Sequence, residues 1–318
     1  THVLLPLLPV YLFLNAADTT QPVSIIISRV AGIYAFVWYS LQFVLTARLR
    51  AIEKTAAQDR RLMLHMILAA ALLMVVVVHT TFGNEKYESE FQAGLGGTAD
   101  FIFLWAVIFS ALFFSNFFIR FIPRVIPYRD RAARFFRLTY ERCRFLHYAM
   151  PAGMLFAIGH IMLLPGNNLA AFKICMILIA GAGLFIYCLQ KFFIPKLLEK
   201  NPWRTAKIIQ ESDSVTTLLF APPEKESATF QYRPGQFCYI RPLDDDFPGQ
   251  SHPFTISSCP KDERLSVTFK QTGDFTFLLP KIKTGTPVSV NGPFGRFSYK
   301  HHPNDRSLVF IAGGIGIT

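Results

Sequence analysis

Long apolar runs fill the chain up to about residue 194, with short polar connections between them. Most of the runs reach the roughly 20 apolar residues that a membrane-spanning helix needs. The pattern therefore predicts a membrane bundle of six transmembrane helices over residues 1–194. The six runs are residues 3–14, 24–47, 62–82, 101–122, 145–164 and 169–194.

After Pro195 the pattern changes to short alternating segments bounded by proline, glycine and aspartate. Six short β-rich segments separated by turn residues predict a small antiparallel β-barrel over residues 195–305. A last apolar segment, SLVFIA at residues 307–312, runs directly into a glycine-rich turn. The six β-rich segments are IIQES, VTTLLF, FCYIRP, FTISS, LSVTFK and PVSV.

The basic residues of the apolar part lie on one side of the predicted bundle. The connections after the second and fourth runs and the end of the sixth carry 14 lysines and arginines, whereas the opposite side carries Lys86 and Lys173. The positive-inside rule places the basic side, and with it the C-terminal part, in the cytoplasm. We therefore expect an integral protein of the plasma membrane. The net charge of +11 is attributed to this topology, so nucleic acid is not an expected partner.

The remaining composition indicates neither a zinc site nor a calcium module. The five cysteines include no CxxC pair, so no disulfide framework is expected. No EF-hand pattern is present. The chain begins with Thr1 and a short first run, which we interpret as a clipped span and not as a cleavable signal peptide.

Four histidines lie within the apolar runs, two on the third and two on the fifth: His65 and His79, then His147 and His160. A histidine in hydrocarbon is costly and needs a partner. Fourteen residues of helix separate the first two by about 21 Å and return to within about 40° of the same face. His65 and His147 follow arginines and so lie at the cytoplasmic depth. The pattern predicts two haems, one held by His65 with His147 and one by His79 with His160.

The second histidine pair fits a straight helix less well. Thirteen residues leave His147 and His160 about 140° apart, and we expect Pro151 and Gly153 to kink or retwist the helix between them. The alternative is that these are core histidines bonded to neighbouring groups. Arg29, six residues into the second run, is interpreted as functional near a haem propionate, with snorkelling to the outer interface as its alternative.

Four motifs of the C-terminal part follow one another in order: RPGQF at 233–237, HPFTISS at 252–258, KQTGDFT at 270–276 and GPFG at 292–295. Together they resemble the FAD-binding barrel of the ferredoxin-reductase superfamily. The resemblance implies an FAD site, in which the rings of Phe254 and Phe275 would contact the flavin. The implied FAD residues are His252, Pro253, Phe254, Thr255, Ser257, Lys270, Thr272, Gly273, Phe275 and Thr276.

The glycine-rich turn after SLVFIA resembles the first phosphate turn of the NAD(P)H domain in the same superfamily. Glycines allow the backbone to approach a pyrophosphate at a helix N-terminus. The resemblance assigns NAD(P)H binding to Gly313, Gly314, Gly316 and Thr318. Residues 306–318 are accordingly expected to be the first strand and turn of an α/β domain.

The chain as a whole resembles the NADPH oxidase and ferric reductase superfamily. The resemblance is carried by Arg29, the histidine pairs, the arginine-rich loop 120–144 and the motifs HPFT, GDFT and AGGIGIT. The unequal histidine spacing and HPFT are more similar to the oxidases. The resemblance implies a di-haem membrane domain (1–194), an FAD barrel (195–305) and the start of an NAD(P)H domain (306–318).

The resemblance also implies a function. Electrons would pass from cytoplasmic NAD(P)H through FAD and two b-type haems to an outer acceptor, O2 giving superoxide, with Arg29 as the catalytic residue. A ferric-chelate reductase with the same electron path is one alternative, and a haem-bearing channel or scaffold is another. Because the chain stops within the phosphate turn, we expect these 318 residues to hold two haems without oxidising NAD(P)H at a useful rate.

Overall fold

The chain forms two compact units in a computed structural model. The first unit comprises residues 1–46 and 62–187, and the second comprises residues 47–61 and 188–318. The segment 47–61, a membrane loop by sequence pattern, therefore belongs with the C-terminal unit, while the predicted boundaries at 194 and 305 stay predictions. The structure describes residues 4–16, 21–53, 56–83, 89–113, 123–137, 145, 147–165, 167–223, 230–301, 304 and 307–317.

Helices dominate the chain up to residue 200. Among the described residues, four helical segments are long and apolar enough to cross a membrane: Val23–Thr46, Gln58–Phe82, Glu90–Leu112 and Ala170–Lys200. The last contains a π-helical turn, Leu189–Phe193. The helices are α1 (Leu7–Ala16), α2 (Val23–Thr46), α3 (Arg50–Glu53), α4 (Gln58–Phe82), α5 (Glu90–Phe113), α6 (Ile126–Phe135), α7 (Met150–Met162), α8 (Ala170–Cys188), α9 (Ile194–Lys200) and α10 (Asp274–Leu278).

Four of the six predicted spans correspond to helices that are long and apolar enough to cross a membrane. The other two predicted runs form α1, of 10 residues, and α7, of 13 residues. At 1.5 Å per residue they are about 15 and 20 Å long, shorter than the roughly 30 Å hydrocarbon core. The status of these two runs as spans stays a prediction.

Helix α5 begins eleven residues before the predicted apolar run. Its first turns carry EFQAGLGGTAD, whose glycines and polar residues lower the local hydropathy although the backbone is helical. Small residues on a membrane helix let neighbouring helices approach closely. The early start places Gly96 and Asp100 inside the helix.

The expected distortion between His147 and His160 lies just before Pro151. Residues 148–149 form a turn, and the Tyr148 N–H donates to the Phe145 carbonyl at 3.0 Å. Proline stands in the first turn of α7, where its missing N–H costs no helical bond. Because the helix restarts at Met150, the two histidines do not depend on one straight helix face.

The core of the first unit lies between α2, α7 and α8. Phe36, Val37 and Tyr39 from α2 are buried with Met154 and Met176. The Phe13 ring of α1 packs edge-on against Phe172 of α8, with ring centres 5.4 Å apart. These contacts hold the helices that carry the histidines.

The second unit contains a six-stranded antiparallel sheet of order β4-β3-β6-β1-β2-β5. Ile256, directly after β4, forms an antiparallel bridge with Val267 of β5, so the two edges of the sheet meet. The sheet therefore closes as the predicted barrel requires. The strands are β1 (Trp203–Ser212), β2 (Val215–Ala221), β3 (Phe237–Pro242), β4 (His252–Thr255), β5 (Leu265–Lys270) and β6 (Pro287–Phe294).

The predicted strand at 307–312 is not formed. Within the described part of the chain, residues 307–313 belong to no regular element, and Val309 and Ile311 are 86% and 95% exposed. A strand requires a hydrogen-bonded neighbour, and none of the six strands pairs with this segment. A short 3-10 helix, Gly314–Ile317, follows it.

Candidate functional site

The structure brings the four membrane histidines together in the predicted pairs. The ring centres of His65 and His147 are 6.2 Å apart, and those of His79 and His160 are 6.4 Å apart. Two imidazoles that bind one metal ion from opposite sides, with bonds of about 2.0–2.1 Å, have ring centres about 6.3 Å apart. Both pairs therefore match the spacing of two axial ligands on one iron.

Hydrogen bonds to Nδ1 orient three of the four imidazole rings. His79 Nδ1 lies 2.9 Å from the Ser28 carbonyl, and His160 Nδ1 lies 3.0 Å from the Gln92 carbonyl. His147 Nδ1 lies 3.1 Å from the Ser110 hydroxyl. A carbonyl accepts only from a protonated Nδ1, which leaves the Nε2 lone pair available to a metal.

Two glycines allow neighbouring helices to contact the rings of His79 and His160, which form the outer pair. A Cβ added at Gly32 of α2 would lie 2.8 Å from His79 Nδ1, and one at Gly96 of α5 would lie 2.9 Å from His160 Nδ1. No side chain fits at either position without displacing the imidazole. Helices α2 and α5 therefore pack directly against the rings of the outer histidine pair.

The outer pair faces a largely apolar cavity, part of which is open to solvent. The residues fit a flat, hydrophobic macrocycle held at its centre by two imidazoles. The cavity is lined in part by Phe13, Arg29, Phe36, Tyr39, Leu72, Asp100, Phe103, Phe172 and Met176.

Charged groups enter this cavity from two helices. Arg29 of α2 lines it, with the guanidinium carbon 5.7 Å from the Phe13 ring centre. Asp100 of α5, one turn after Gly96, lines it too. Sequence reasoning missed Asp100 because the predicted run began at residue 101. The small-residue spacing of EFQAGLGGTAD was the signal that the helix starts earlier.

Within the described residues, no group of three or more His, Cys, Asp or Glu side chains could hold a metal ion. Histidines that face each other in twos would suit a macrocycle that supplies the other ligands to its iron.

In the second unit, the HPFT motif forms β4, beside β3. The His252 ring stacks on Phe275, with ring centres 3.8 Å apart and planes 14° apart. Phe254 packs on Phe269 at 5.6 Å, and both Phe254 and Phe275 are buried in the core. The expected role of these two phenylalanine rings in contacting a flavin stays a prediction.

Several predicted flavin hydroxyls are engaged within the protein. Ser257 Oγ lies 3.0 Å from both the Ser266 and the Thr268 hydroxyls. Thr276 Oγ1 accepts the N–H groups of Thr272 and Gly273 at 2.9 and 3.0 Å. Of the predicted residues, Pro253, Lys270, Thr272 and Gly273 are exposed, whereas His252, Thr255, Ser257 and Thr276 are half-buried.

The segment 47–61 contributes a cluster that sequence reasoning missed. Glu53 and Arg61 form a buried ion pair at 2.8 Å, and Glu53 Oε1 accepts the Gly295 N–H at 3.0 Å. The Arg48 guanidinium lies 3.7 Å from the Tyr239 ring centre and donates to Ser251. From the sequence, the arginines of segment 47–61 were interpreted only as topology signals. In the structure they also hold this segment against β3 and β6.

Further contacts complete this cluster. Gln58 Nε2 donates to the Tyr239 hydroxyl at 2.6 Å, and Arg50 donates to the Gly292 carbonyl in GPFG. Beneath it, burial raises the pKa of the Cys238 thiol to about 12, so that thiol stays neutral and unreactive at physiological pH. The four described cysteines are free.

The glycine turn assigned to NAD(P)H is exposed. Gly314 adopts a left-handed φ of 57°, which favours glycine. Gly313 and Gly316 have open space around their Cα atoms, and Thr318 lies outside the described residues. The turn leads only into the short 3-10 helix, so the predicted binding role of these residues stays a prediction.

Residues 201–298 match the protein family described as FAD-binding domain. The chain is 30% identical over 138 residues to the glycine betaine monooxygenase reductase subunit of Chromohalobacter salexigens, covering 41% of this chain and 36% of that protein. It is 31% identical over 130 residues to a flavohemoprotein of Candida albicans, covering 37% and 32%. The chain thus spans about a third of the length of the curated relatives it matches.

Among solved structures, the chain is similar to the flavohem-like FAD/NAD-binding domain of nitric oxide dioxygenase from Vibrio cholerae. That similarity has a TM-score of 0.27 and 22% identity over 31% of this chain and 45% of that one. The family match and the antiparallel sheet identify an FAD-binding domain of the ferredoxin-reductase type in the second unit.

Proposed function

We propose that the chain is a transmembrane oxidoreductase that moves electrons from cytoplasmic NAD(P)H, through FAD and two b-type haems, to an acceptor on the outer side. The proposed acceptor is O2, and the product is superoxide. The observation that carries the proposal is that imidazole rings face each other in two pairs, in a chain that also holds an FAD-binding domain. The ring centres are 6.2 Å apart in one pair and 6.4 Å apart in the other.

The membrane part of the proposal has two supports. Four helical segments have the length and composition to cross a bilayer. The connections rich in lysine and arginine all fall on the side of the FAD-binding domain, which the positive-inside rule places in the cytoplasm. The proposed location is therefore the plasma membrane.

The chain's own residues prepare the haem positions. The Ser28 and Gln92 carbonyls fix the tautomers of His79 and His160, so that Nε2 of each keeps a free lone pair. When bound, the flavin would divide a two-electron hydride into single electrons, and haems held by the two histidine pairs would pass electrons without binding substrate.

Arg29 is proposed to act at the outer cavity. One-electron reduction of O2 creates an anion, and a fixed guanidinium in an apolar cavity stabilises negative charge more strongly than it would in water. The same group would also accept a haem propionate as a partner. Arg29 lines the cavity that contains His79 and His160, where either charge would lie.

Haem stoichiometry tests the proposal directly. Purified chain is expected to contain two b-type haems in oxidised and dithionite-reduced absorption spectra. The double variant His79→Ala/His160→Ala should lose one, and His65→Ala/His147→Ala should lose the other. His301→Ala, an exposed histidine of the second unit, is the control. Two haems retained in both double variants would refute the assignment.

The acceptor is tested separately. Superoxide formation is expected to exceed ferric-chelate reduction when the flavin is chemically reduced, because Arg29 favours a small anionic product. The reverse order would identify a metal reductase. The matched relatives named as monooxygenase reductase subunits suggest a third outcome, in which electrons leave to a protein partner. Failure to retain FAD, together with haem that stays unreduced, would favour the haem-bearing channel or scaffold.

A further inference from the structure

Helix α6, Ile126–Phe135, lies in the connection between two apolar helices and is coated with arginine. Five arginines and one aspartate occur among residues 123–137, and Arg129 pairs with Asp130 at 2.7 Å. No lysine occurs in this segment. Arginine presents a planar fork of donors that matches phosphate oxygens, whereas lysine presents a point charge.

Large aromatic side chains stand on the same short helix without burial. Tyr128 is 71% exposed, Phe135 is 80% exposed and Phe136 is 63% exposed. Tyr128 and Phe135 are seven residues apart, so two helical turns bring them to one face. A soluble surface would not favour an aromatic face of this kind, which is typical of helices that lie in a membrane interface.

Charge surrounds this face on both sides. Arg131 and Arg134 lie on one flank of the Tyr128–Phe135 face, and Arg129 lies on the other, by the 100° advance per residue. Arg131 and Arg134 are exposed. The arrangement joins an apolar stripe to cationic flanks, so its chemical complement is an apolar surface edged with phosphate.

We propose that α6 docks on anionic phospholipids of the bilayer that the chain spans, with Tyr128 and Phe135 in the acyl boundary and Arg131 and Arg134 on headgroup phosphates. The proposal rests on the membrane bundle of the proposed function. Charge complementarity selects the occupant, since basic clusters next to a membrane helix bind acidic lipids on the cytoplasmic leaflet. Zwitterionic lipid offers the apolar boundary without the net charge.

Proteolysis in nanodiscs tests the docking. Chymotrypsin cleaves after Tyr128 and Phe135, and each variant's cleavage rate is compared only between lipid compositions, because Arg129 and Arg134 flank the cleaved bonds. The full chain is placed in discs of phosphatidylcholine alone or mixed with phosphatidylglycerol. Cleavage is expected to be on the order of 10-fold or more slower in the anionic discs, because each arginine near an anionic surface contributes roughly 5-fold in binding.

Arginine variants identify the contact. Arg129→Gln/Arg131→Gln/Arg134→Gln should be cleaved at the same rate in both discs. The control, Lys207→Gln/Lys261→Gln/Lys283→Gln, removes the same charge from exposed positions of the second unit and should keep the protection. Inorganic phosphate added to phosphatidylcholine discs should not protect.

Several outcomes would overturn the proposal. Equal cleavage in the two discs, protection by inorganic phosphate, or protection that survives the arginine substitutions would each do so. Failure of the chain to enter either disc would overturn the membrane bundle itself and this surface with it. Because neither haem nor flavin is measured, loss of the electron-transfer function alone leaves the docking result unaffected.

Discussion

The two units use polar side chains in different ways. In the first unit, polar groups within the helices are few, and the histidines meet one another and a defined backbone acceptor. In the second, hydroxyls are abundant and often bond to each other, as Ser257 does with Ser266 and Thr268. A polar residue in an apolar helix is therefore informative about function, whereas one in a sheet motif often serves the sheet.

The physical reason is the cost of burial. A polar group in hydrocarbon has no water to bond, so it persists only where a specific partner or ligand satisfies it. A hydroxyl beside a turn can form hydrogen bonds with many nearby groups at little cost in free energy. It is therefore retained for local structure. Thr276 illustrates this, because its hydroxyl accepts the N–H groups of Thr272 and Gly273 at the turn, while its expected flavin contact stays a prediction.

Breaking the ion pair of Glu53 and Arg61 is the strongest test of whether the stability of the second unit also depends on a rare buried charge. Glu53→Gln leaves Arg61 buried without its counter-charge and is expected to cost about 3–5 kcal/mol. The measurement is urea unfolding of the second unit, followed by Trp203 fluorescence after Trp38 and Trp105 are replaced by phenylalanine.

The matched control for that variant is Glu199→Gln, which removes the exposed partner of Arg241. Exposed pairs contribute about 0–1 kcal/mol. A cost for Glu53→Gln no larger than that of the control would show that the buried pair does not stabilise the unit.

The glycine behind His160 tests how closely the first unit is fitted to its histidines. Gly96→Ala places a Cβ 2.9 Å from Nδ1 and should displace the ring, weakening haem binding at the outer pair by about 10–100-fold. Gly97→Ala, one residue on, meets nothing within 4 Å and should bind haem normally. Haem titration by absorbance measures both, and equal affinities would contradict the proposed ligand role of His160.

Thr276→Val sharpens the claim that motif hydroxyls serve the fold. It removes the acceptor of two backbone N–H groups and should cost about 1–2 kcal/mol, as loss of a helix cap does. Thr276→Ser keeps the oxygen and should restore most of that stability. The same Trp203 unfolding assay compares the two variants. Equal stability would show that the Thr276 hydroxyl does not stabilise the fold and would favour its predicted role as a ligand group.

Thr255 carries the smallest expected effect and remains the better candidate for a flavin contact. Thr255→Val preserves the side-chain volume and removes one hydrogen bond, so FAD affinity should fall by about 0.5–1.5 kcal/mol. Ser257→Ala should change it less, because the Ser257 hydroxyl is already engaged. Flavin fluorescence titration gives both values, and an unchanged affinity in Thr255→Val would remove that residue from the site.

Much of the helical unit was predictable. Apolar run length indicated the four long apolar helices, and rare histidines within the apolar runs indicated the pairs. The early start of α5 was not predictable from hydropathy, since glycine and glutamine lower the hydropathy of a segment that is nevertheless helical. Asp100 was lost for that reason.

The sheet unit shows the same division. Alternation and turn residues predicted short antiparallel strands, and the order of four motifs indicated an FAD-binding barrel. The motifs did not reveal which side chains face a ligand, because the pattern does not tell a buried Phe254 from an exposed ring. Segment 307–312 had strand composition but lacks a strand partner among the described residues.

By itself the sequence determined where the chain is apolar, which four histidines lie there, and that a flavin-type barrel follows, since these depend on local composition and spacing. Tertiary structure alone decided that Gly32 and Gly96 back the outer rings, that the helix restarts at Met150, and that segment 47–61 belongs to the second unit. Those outcomes depend on contacts between residues distant in the chain, whose free energy no local pattern contains.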